Sequence, residues 1–120
     1  MRGTGEALVD INIRKRGSAQ VIQLRGDLRL GEALEQFHHA TNELLQAGDV
    51  NLVINLEQVG MLDSSGIGAL MKLLTSATKR GGALKLVNPA PQALKTLKLV
   101  GLLALFPVFP DEEQAVVSFG

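Results

Sequence analysis

The alternation of apolar and polar residues near the start of the chain predicts a β-hairpin. From Ala7 to Lys15, Val9, Ile11 and Ile13 alternate with polar residues, which is the period of two expected of a half-exposed strand. The segment RGS at 16–18 then predicts a turn into a second strand, AQVIQLR.

Apolar residues spaced three and four apart predict two amphipathic helices in the middle of the chain. Between Glu32 and Gln46 this spacing predicts a helix that ends at Gly48. After the segment MLDSSGIGAL the same spacing predicts a second helix, which ends in the sequence KRGG at 79–82.

Shorter runs predict the remaining elements. NLVINL at 51–56 is typical of a strand buried on both faces, and ALKLV at 83–87 predicts another strand. The segment NPAPQALKTLKLVGL predicts a short helix that ends at Gly101. A final short strand is expected around Leu105 to Val108, followed by a helix from Asp111.

The order of these elements predicts a small α/β domain. After the hairpin, strands alternate with helices, and parallel strands need such crossovers. We therefore expect a mixed, mostly parallel sheet with helices packed against it. A chain of 120 residues that is 46% hydrophobic has the size of one domain with one core, so residues 1–120 are predicted to form a single domain.

Composition and charge narrow the classes of function. Twelve basic and twelve acidic side chains give a formal net charge of zero, so no overall field favours nucleic acid or an anionic membrane surface. The absence of cysteine excludes disulfides and cysteine-ligated zinc, and the two histidines, His38 and His39, are helix neighbours that cannot hold one ion together. No metal or cofactor is therefore expected. Without an apolar stretch of signal-peptide or membrane-spanning length, we expect a cytoplasmic protein that does not insert into membranes.

The corner between the third strand and the second long helix carries three consecutive polar residues, Asp63, Ser64 and Ser65. Asp63 and Ser64 are both of the types preferred as helix N-caps, and either one is sufficient to cap the helix. Ser65 is then a hydroxyl without an evident structural task, at the carboxyl end of a central strand, where open α/β sheets present their sites. This position suits a hydroxyl that accepts a phosphoryl group.

Phosphorylation of Ser65 would act mainly at a partner surface. Phosphoserine carries about −1.5 to −2 charges, which a helix N-terminus stabilises by roughly 0.3–1 kcal/mol. The negative charge of the Asp63 carboxylate repels the phosphate, by roughly 1 kcal/mol for two unit charges about 4 Å apart in water. The attraction and the repulsion therefore nearly cancel within the domain. Burial of an unpaired dianion in an interface costs several kcal/mol, and each ~1.4 kcal/mol is a tenfold loss of affinity.

Two enzyme-like alternatives fit the corner less well. A serine hydrolase would need the G-x-S-x-G elbow and a nearby base, but no glycine precedes the serines, and the histidines lie on the outer face of the first helix. A dinucleotide-binding loop would need a third glycine where Met71 stands. Gly66 and Gly68 are instead expected to let the helix N-terminus approach the sheet closely. The chain is not predicted to be an enzyme.

The same residues resemble a known family, the STAS domains of bacterial anti-sigma factor antagonists. The likeness covers nearly the whole chain: VIQLRGDL after the hairpin, LVINLEQVGMLDSSGIGAL, GGALKLVNPAPQALKTLKLVGLLALF and DEEQAVVSF, in that order and spacing. The most specific parts are the D-S-S-G-I-G core after a strand and the later N-P and G-L-x-x-L-F segments.

This resemblance implies a regulator of transcription. The unphosphorylated domain would bind an anti-sigma factor that is itself a serine kinase, and a sigma factor would be released. Phosphorylation of Ser65 by that kinase would end the binding, and a phosphatase would reset the domain. The other residues expected at the partner surface are Asp63, Ser64, Gly66, Gly68 and Arg29.

Arg29 departs from the family pattern. Many antagonists have G-E-L-D after the second strand, whereas this chain has GDLR at 26–29. A positive charge there would either weaken docking to the usual kinase or pair with the added phosphate. The resemblance also leaves an alternative function, a STAS scaffold in a larger assembly, such as a stress-signalling complex or a lipid-transport system, without a kinase cycle.

Overall fold

The computed structural model describes residues 9–119 and shows a five-stranded sheet with helices on both faces. The elements are β1 (Asp10–Arg16), β2 (Ala19–Arg25), α1 (Glu32–Gln46), β3 (Asn51–Gln58), α2 (Ser64–Lys79), β4 (Ala83–Val87), α3 (Pro91–Leu99), a 3-10 helix (Leu103–Leu105), β5 (Val108–Phe109) and α4 (Glu112–Val117).

The strands lie in the sheet in the same order as in the sequence. β1 pairs antiparallel with β2, with Ile13 opposite Ile22. The other three pairs are parallel, and Ile54 of β3 lies between Ile22 of β2 and Leu86 of β4. The predicted mixed, mostly parallel sheet is confirmed, and β3 is its central strand.

The two faces of the sheet are covered unequally. α1, α2 and α3 pack on one face and form the main core, in which Phe37, Ile54 and Leu70 are fully buried. On the other face, a smaller cluster that includes Val53 lies under Ala115 of α4. β3 is therefore buried on both faces, as its apolar run predicts.

The predicted helices agree closely with the structure. The interval predicted for the first helix is the interval of α1, and Gly48 follows its end with a left-handed backbone, φ 91°. The amide of Asp49 donates to the carbonyl of Leu44 at 2.9 Å, which completes the hydrogen-bonding pattern of a glycine-terminated helix.

The expected last strand, Leu105 to Val108, is misplaced. Leu105 ends the 3-10 helix and is exposed, and β5 comprises only Val108–Phe109. Pro107 has no amide hydrogen to donate to a sheet, although its carbonyl accepts from the amide of Leu86 at 2.9 Å. The strand therefore forms after the proline.

The first strand also differs slightly from its predicted interval. β1 begins at Asp10 and continues to Arg16, so that the turn comprises Gly17 and Ser18. The predicted start at Ala7 lies outside the described residues. The hairpin itself is confirmed.

Candidate functional site

The candidate site lies where β3 leads into α2, at the carboxyl end of the central strand. Leu62 forms a parallel bridge with Leu28, and the amide of Leu28 donates to the carbonyl of Met61 at 3.0 Å. The loop that follows β2 is thereby attached to the β3–α2 corner. The two segments therefore lie side by side.

Asp63 is the N-cap of α2, which resolves the choice between Asp63 and Ser64. Its Oδ1 accepts a hydrogen bond from the amide of Gly66 at 2.7 Å, the usual pattern for an N-cap side chain. Its Oδ2 accepts from the amide of Leu30 at 3.0 Å. One carboxylate thus caps the helix and also holds the neighbouring loop.

The two glycines of α2 have different surroundings. A Cβ on Gly66 would lie 2.3 Å from the carbonyl oxygen of Leu28, so only glycine permits this close approach. Gly68 is exposed, and a Cβ there would meet nothing within 4 Å. The expectation that both glycines allow close approach is confirmed for Gly66 and wrong for Gly68. Gly66 is also buried, so it shapes the corner without being exposed on it.

The two serines are accessible and have no hydrogen-bonding task within the part of the chain that the structure describes. Ser64 is exposed and Ser65 is half-buried, and neither hydroxyl makes an intramolecular hydrogen bond there. The first turn of α2 contains no acidic side chain. An added anion at this turn would therefore meet the free amide groups and positive end of the helix, opposed by the Asp63 carboxylate.

Two exposed apolar side chains border the serines, and the sequence interpretation did not identify them. Leu30 is 75% exposed and Met61 is 40% exposed. Arg29, next to Leu30 in the chain, contacts Met61, with its Nη1 3.7 Å from the sulfur. The sequence does contain a signal that could have identified them. Each is a large apolar residue beside a glycine in a predicted loop, a place where an apolar side chain does not contribute to the core.

The histidines do not contact the serines. His38 is half-buried and lines a small groove of about 20 Å³ with Ala69 and Lys72 of α2, and exposed His39 lies 3.5 Å from Glu43. Between residues 9 and 119, neither histidine donates to or accepts from Ser64 or Ser65. Neither histidine is therefore hydrogen-bonded to a serine in the way that activates a serine nucleophile.

Within residues 9–119, no group of three or more His, Asp or Glu side chains is placed to hold a metal ion. No helix in the same range is long and apolar enough to span a bilayer.

Comparisons with known proteins agree with the fold. The STAS domain family model matches residues 10–115. An anti-sigma F factor antagonist from Lysinibacillus sphaericus is 32% identical over 97 residues, which are 80% of this chain and 81% of that protein. The chain therefore belongs to the STAS domain family, among the anti-sigma factor antagonists.

Solved structures share the fold at lower identity. The anti-sigma factor antagonist SpoIIAA in its unphosphorylated form has a TM-score of 0.78 at 24% identity, over 92% of this chain and 96% of that one. Bacillus SpoIIAA in the phosphorylated form has a TM-score of 0.74 at 24% identity, over 92% and 100%. The murine anion transporter Slc26a9 has a TM-score of 0.69 at 22% identity, over 88% of this chain and 18% of that one.

Proposed function

We propose that this protein binds an anti-sigma factor with serine kinase activity and that phosphorylation of Ser65 by that kinase switches the binding off. In the unphosphorylated state the domain would occupy the anti-sigma factor, so that a sigma factor is released. A phosphatase would restore the binding state. The protein would act as a binding module in the cytoplasm and would itself catalyse no reaction.

The observation that carries the proposal is the half-buried Ser65 hydroxyl, which makes no hydrogen bond within residues 9–119 and belongs to the same corner as two exposed apolar side chains. A hydroxyl with no structural task can be modified without loss of the fold. Exposed Leu30 and Met61 supply apolar surface for a partner at the same place. The relatives named as anti-sigma factor antagonists, one of them solved in both phosphorylation states, support the same interpretation.

The chemical step would be an ordinary phosphoryl transfer. The Oγ of Ser65 attacks the γ-phosphorus of ATP bound to the kinase, and the bond from that phosphorus to the bridging oxygen breaks. ADP leaves, and the serine proton passes to a base of the kinase. The product places a dianion in a surface that an interface would have to desolvate, which costs several kcal/mol when the charge is unpaired.

The test is phosphate incorporation in the presence of ATP and the cognate kinase. Wild type and Ser64→Ala should gain one phosphate by mass spectrometry, while Ser65→Ala should gain none. Ser64→Ala is a matched control because it removes the neighbouring hydroxyl and leaves the cap at Asp63 intact. Equal labelling of Ser65→Ala and wild type would refute the assignment.

A second experiment tests the effect on binding. Ser65→Asp should weaken capture of the anti-sigma factor at least tenfold in a pull-down from the native cell, because one uncompensated charge in an interface costs more than ~1.4 kcal/mol. Capture by Ser65→Asp at the wild-type level would contradict the switch.

A scaffold function without a kinase cycle is the second candidate. It is supported by the presence of this fold inside a transporter, where it occupies 18% of that chain, and by the unusual Arg29 at the corner. If this candidate holds, Ser65→Asp still weakens partner binding, but protein isolated from its native cell contains no phosphoserine. Detection of phosphoserine 65 in that sample would exclude it.

A further inference from the structure

Arg29 is held beside the proposed phosphorylation site by its two neighbours in the chain. The amide of Leu28 donates to the carbonyl of Met61, and the amide of Leu30 donates to Oδ2 of Asp63, both at 3.0 Å. These bonds fix the backbone of Arg29 against the corner from which α2 begins. The position of its backbone is therefore a consequence of the fold.

The guanidinium of Arg29 has no anionic partner in the described part of the chain. Within residues 9–119 it contacts the thioether of Met61, which is a weak acceptor. The carboxylate at the corner, Asp63, accepts two amide hydrogen bonds, one on each oxygen. The carboxylate of Asp27 lies instead against Gly60, and across residues 9–119 no ion pair involves Arg29.

An unpaired cation next to a helix N-terminus is electrostatically unfavourable, because the macrodipole places positive potential there. α2 has no acidic side chain in its first turn, so the Asp63 carboxylate at the N-cap is the anion that offsets this potential. A phosphate on Ser65 would add a dianion in this turn, which both the helix terminus and the guanidinium would attract. Guanidinium and phosphate also match in geometry, with two parallel hydrogen bonds.

We propose that Arg29 pairs with the phosphate of phosphoserine 65 and stabilises the phosphorylated state. This inference rests on the proposed function. Before phosphorylation, the guanidinium faces the partner together with Leu30 and Met61. After phosphorylation, the phosphate engages it, so that a single modification adds negative charge and removes an available positive charge from the same surface.

The test uses phosphoserine placed at position 65 during translation, so no kinase is required. The second pKa of the phosphate is measured by ³¹P NMR in the otherwise wild-type protein and in Arg29→Gln. Pairing with a cation favours the dianion, so the pKa should be about 1 unit lower with Arg29 present than with Gln. Arg29→Lys should restore part of the difference, and Arg29→Glu should raise the pKa above that of Arg29→Gln.

The controls separate pairing from general effects. Arg25→Gln removes a guanidinium that bonds Gln58 on β3, and it should leave the phosphate pKa unchanged. Far-UV circular dichroism verifies that each variant is folded, and the Lys and Glu variants preserve the comparison if the Gln variant does not fold. Equal phosphate pKa values in all Arg29 variants would overturn the pairing.

The two proposals fail in different experiments. If Ser65→Ala is labelled as well as wild type, the proposed phosphorylation is wrong, whatever the phosphate pKa shows. If labelling is specific for Ser65 but the phosphate pKa does not depend on Arg29, the switch remains and the pairing is wrong.

Discussion

Gly66 and Gly68 stand two positions apart in the same helix, yet the structure requires glycine only at the first. The backbone of Leu28 lies against Gly66, whereas Gly68 faces open space. In a helix interior, glycine costs roughly 0.5–1 kcal/mol relative to alanine, so Gly68 is a cost to stability with no packing reason. Its exposed position in the second turn of α2 fits a surface where a side chain would obstruct a partner.

These surroundings predict opposite effects of the same substitution. Gly66→Ala should lower the free energy of unfolding by about 1–3 kcal/mol, because the new methyl group forces the Leu28 loop away from α2. Gly68→Ala should raise it by roughly 0.5–1 kcal/mol. Urea denaturation followed by far-UV circular dichroism measures both, since the chain contains no Trp or Tyr. Equal stability of the two variants would contradict the close approach at Gly66.

At the scale of one element, α4 depends on contacts far away in the sequence. It has six residues, too few for a helix to be stable in isolation. Glu112 fixes it to the sheet: both carboxylate oxygens accept from Arg14, at 3.1 and 3.0 Å, and Oε2 also accepts from Asn55 at 2.8 Å. Arg16 adds a further ion pair at 3.4 Å.

These contacts lower the pKa of Glu112 from its usual value of 4.5. The hydrogen bond from Arg14 is the largest cause, and the hydrogen bond from Asn55 and the charges of Arg14 and Arg16 act in the same direction, against desolvation. Since the folded pKa is below the unfolded one, the stabilisation is present above pH 4.5 and is lost as pH falls through the folded pKa.

We therefore expect the docking of α4 to be sensitive to acid. Hydrogen-exchange protection factors of the α4 amides should be constant above about pH 5 and fall below pH 4.5. Glu112→Gln should remove this pH dependence. It should also lower the free energy of opening of α4 at neutral pH by about 1 kcal/mol, which is near the upper end for partly exposed ion pairs. Glu113→Gln, at an exposed neighbouring position, is the control. The same acid profile in Glu112→Gln would exclude this carboxylate as the cause.

At the scale of the whole molecule, β3 joins the two hydrophobic clusters. Ile54 points into the main core and Val53 into the cluster under α4, and both are fully buried. The strand also pairs with β2 on one side and β4 on the other. Loss of packing at its centre should affect every layer together.

Ile54→Ala should therefore destabilise the domain as one unit. The expected loss is about 2–5 kcal/mol, from the transfer of the removed methylene groups and the cavity that remains. Leu30→Ala, at a position 75% exposed, should change stability by less than about 0.5 kcal/mol. Both are measured by urea denaturation, with a single transition and an unchanged slope. Two separate transitions in Ile54→Ala would show that the clusters unfold independently.

Much of the fold followed from local patterns. The bounds of α1 and the positions of β3 and β4 agree with the periodicity of apolar residues, because helices and strands place those residues on one face at fixed intervals. The predicted position of β5 was wrong because a strand of two residues is too short to show a periodic pattern. Its position depends instead on pairing with β4.

The features of the candidate site also separate into those that the local sequence determines and those that depend on the tertiary structure. The sequence by itself determined that an acid and two hydroxyls stand between a buried strand and a helix, because both elements and their boundary are encoded locally. Only the tertiary structure decided that Asp63 is the cap, that Leu28 lies against Gly66 and that Arg29 contacts Met61. The cap at Asp63 is a local contact, but the sequence offers two residues of the preferred types, and Asp63 is also held by the amide of Leu30 in the neighbouring loop. The other two contacts join segments from separate elements, and no spacing along the chain records which loop will lie against which helix.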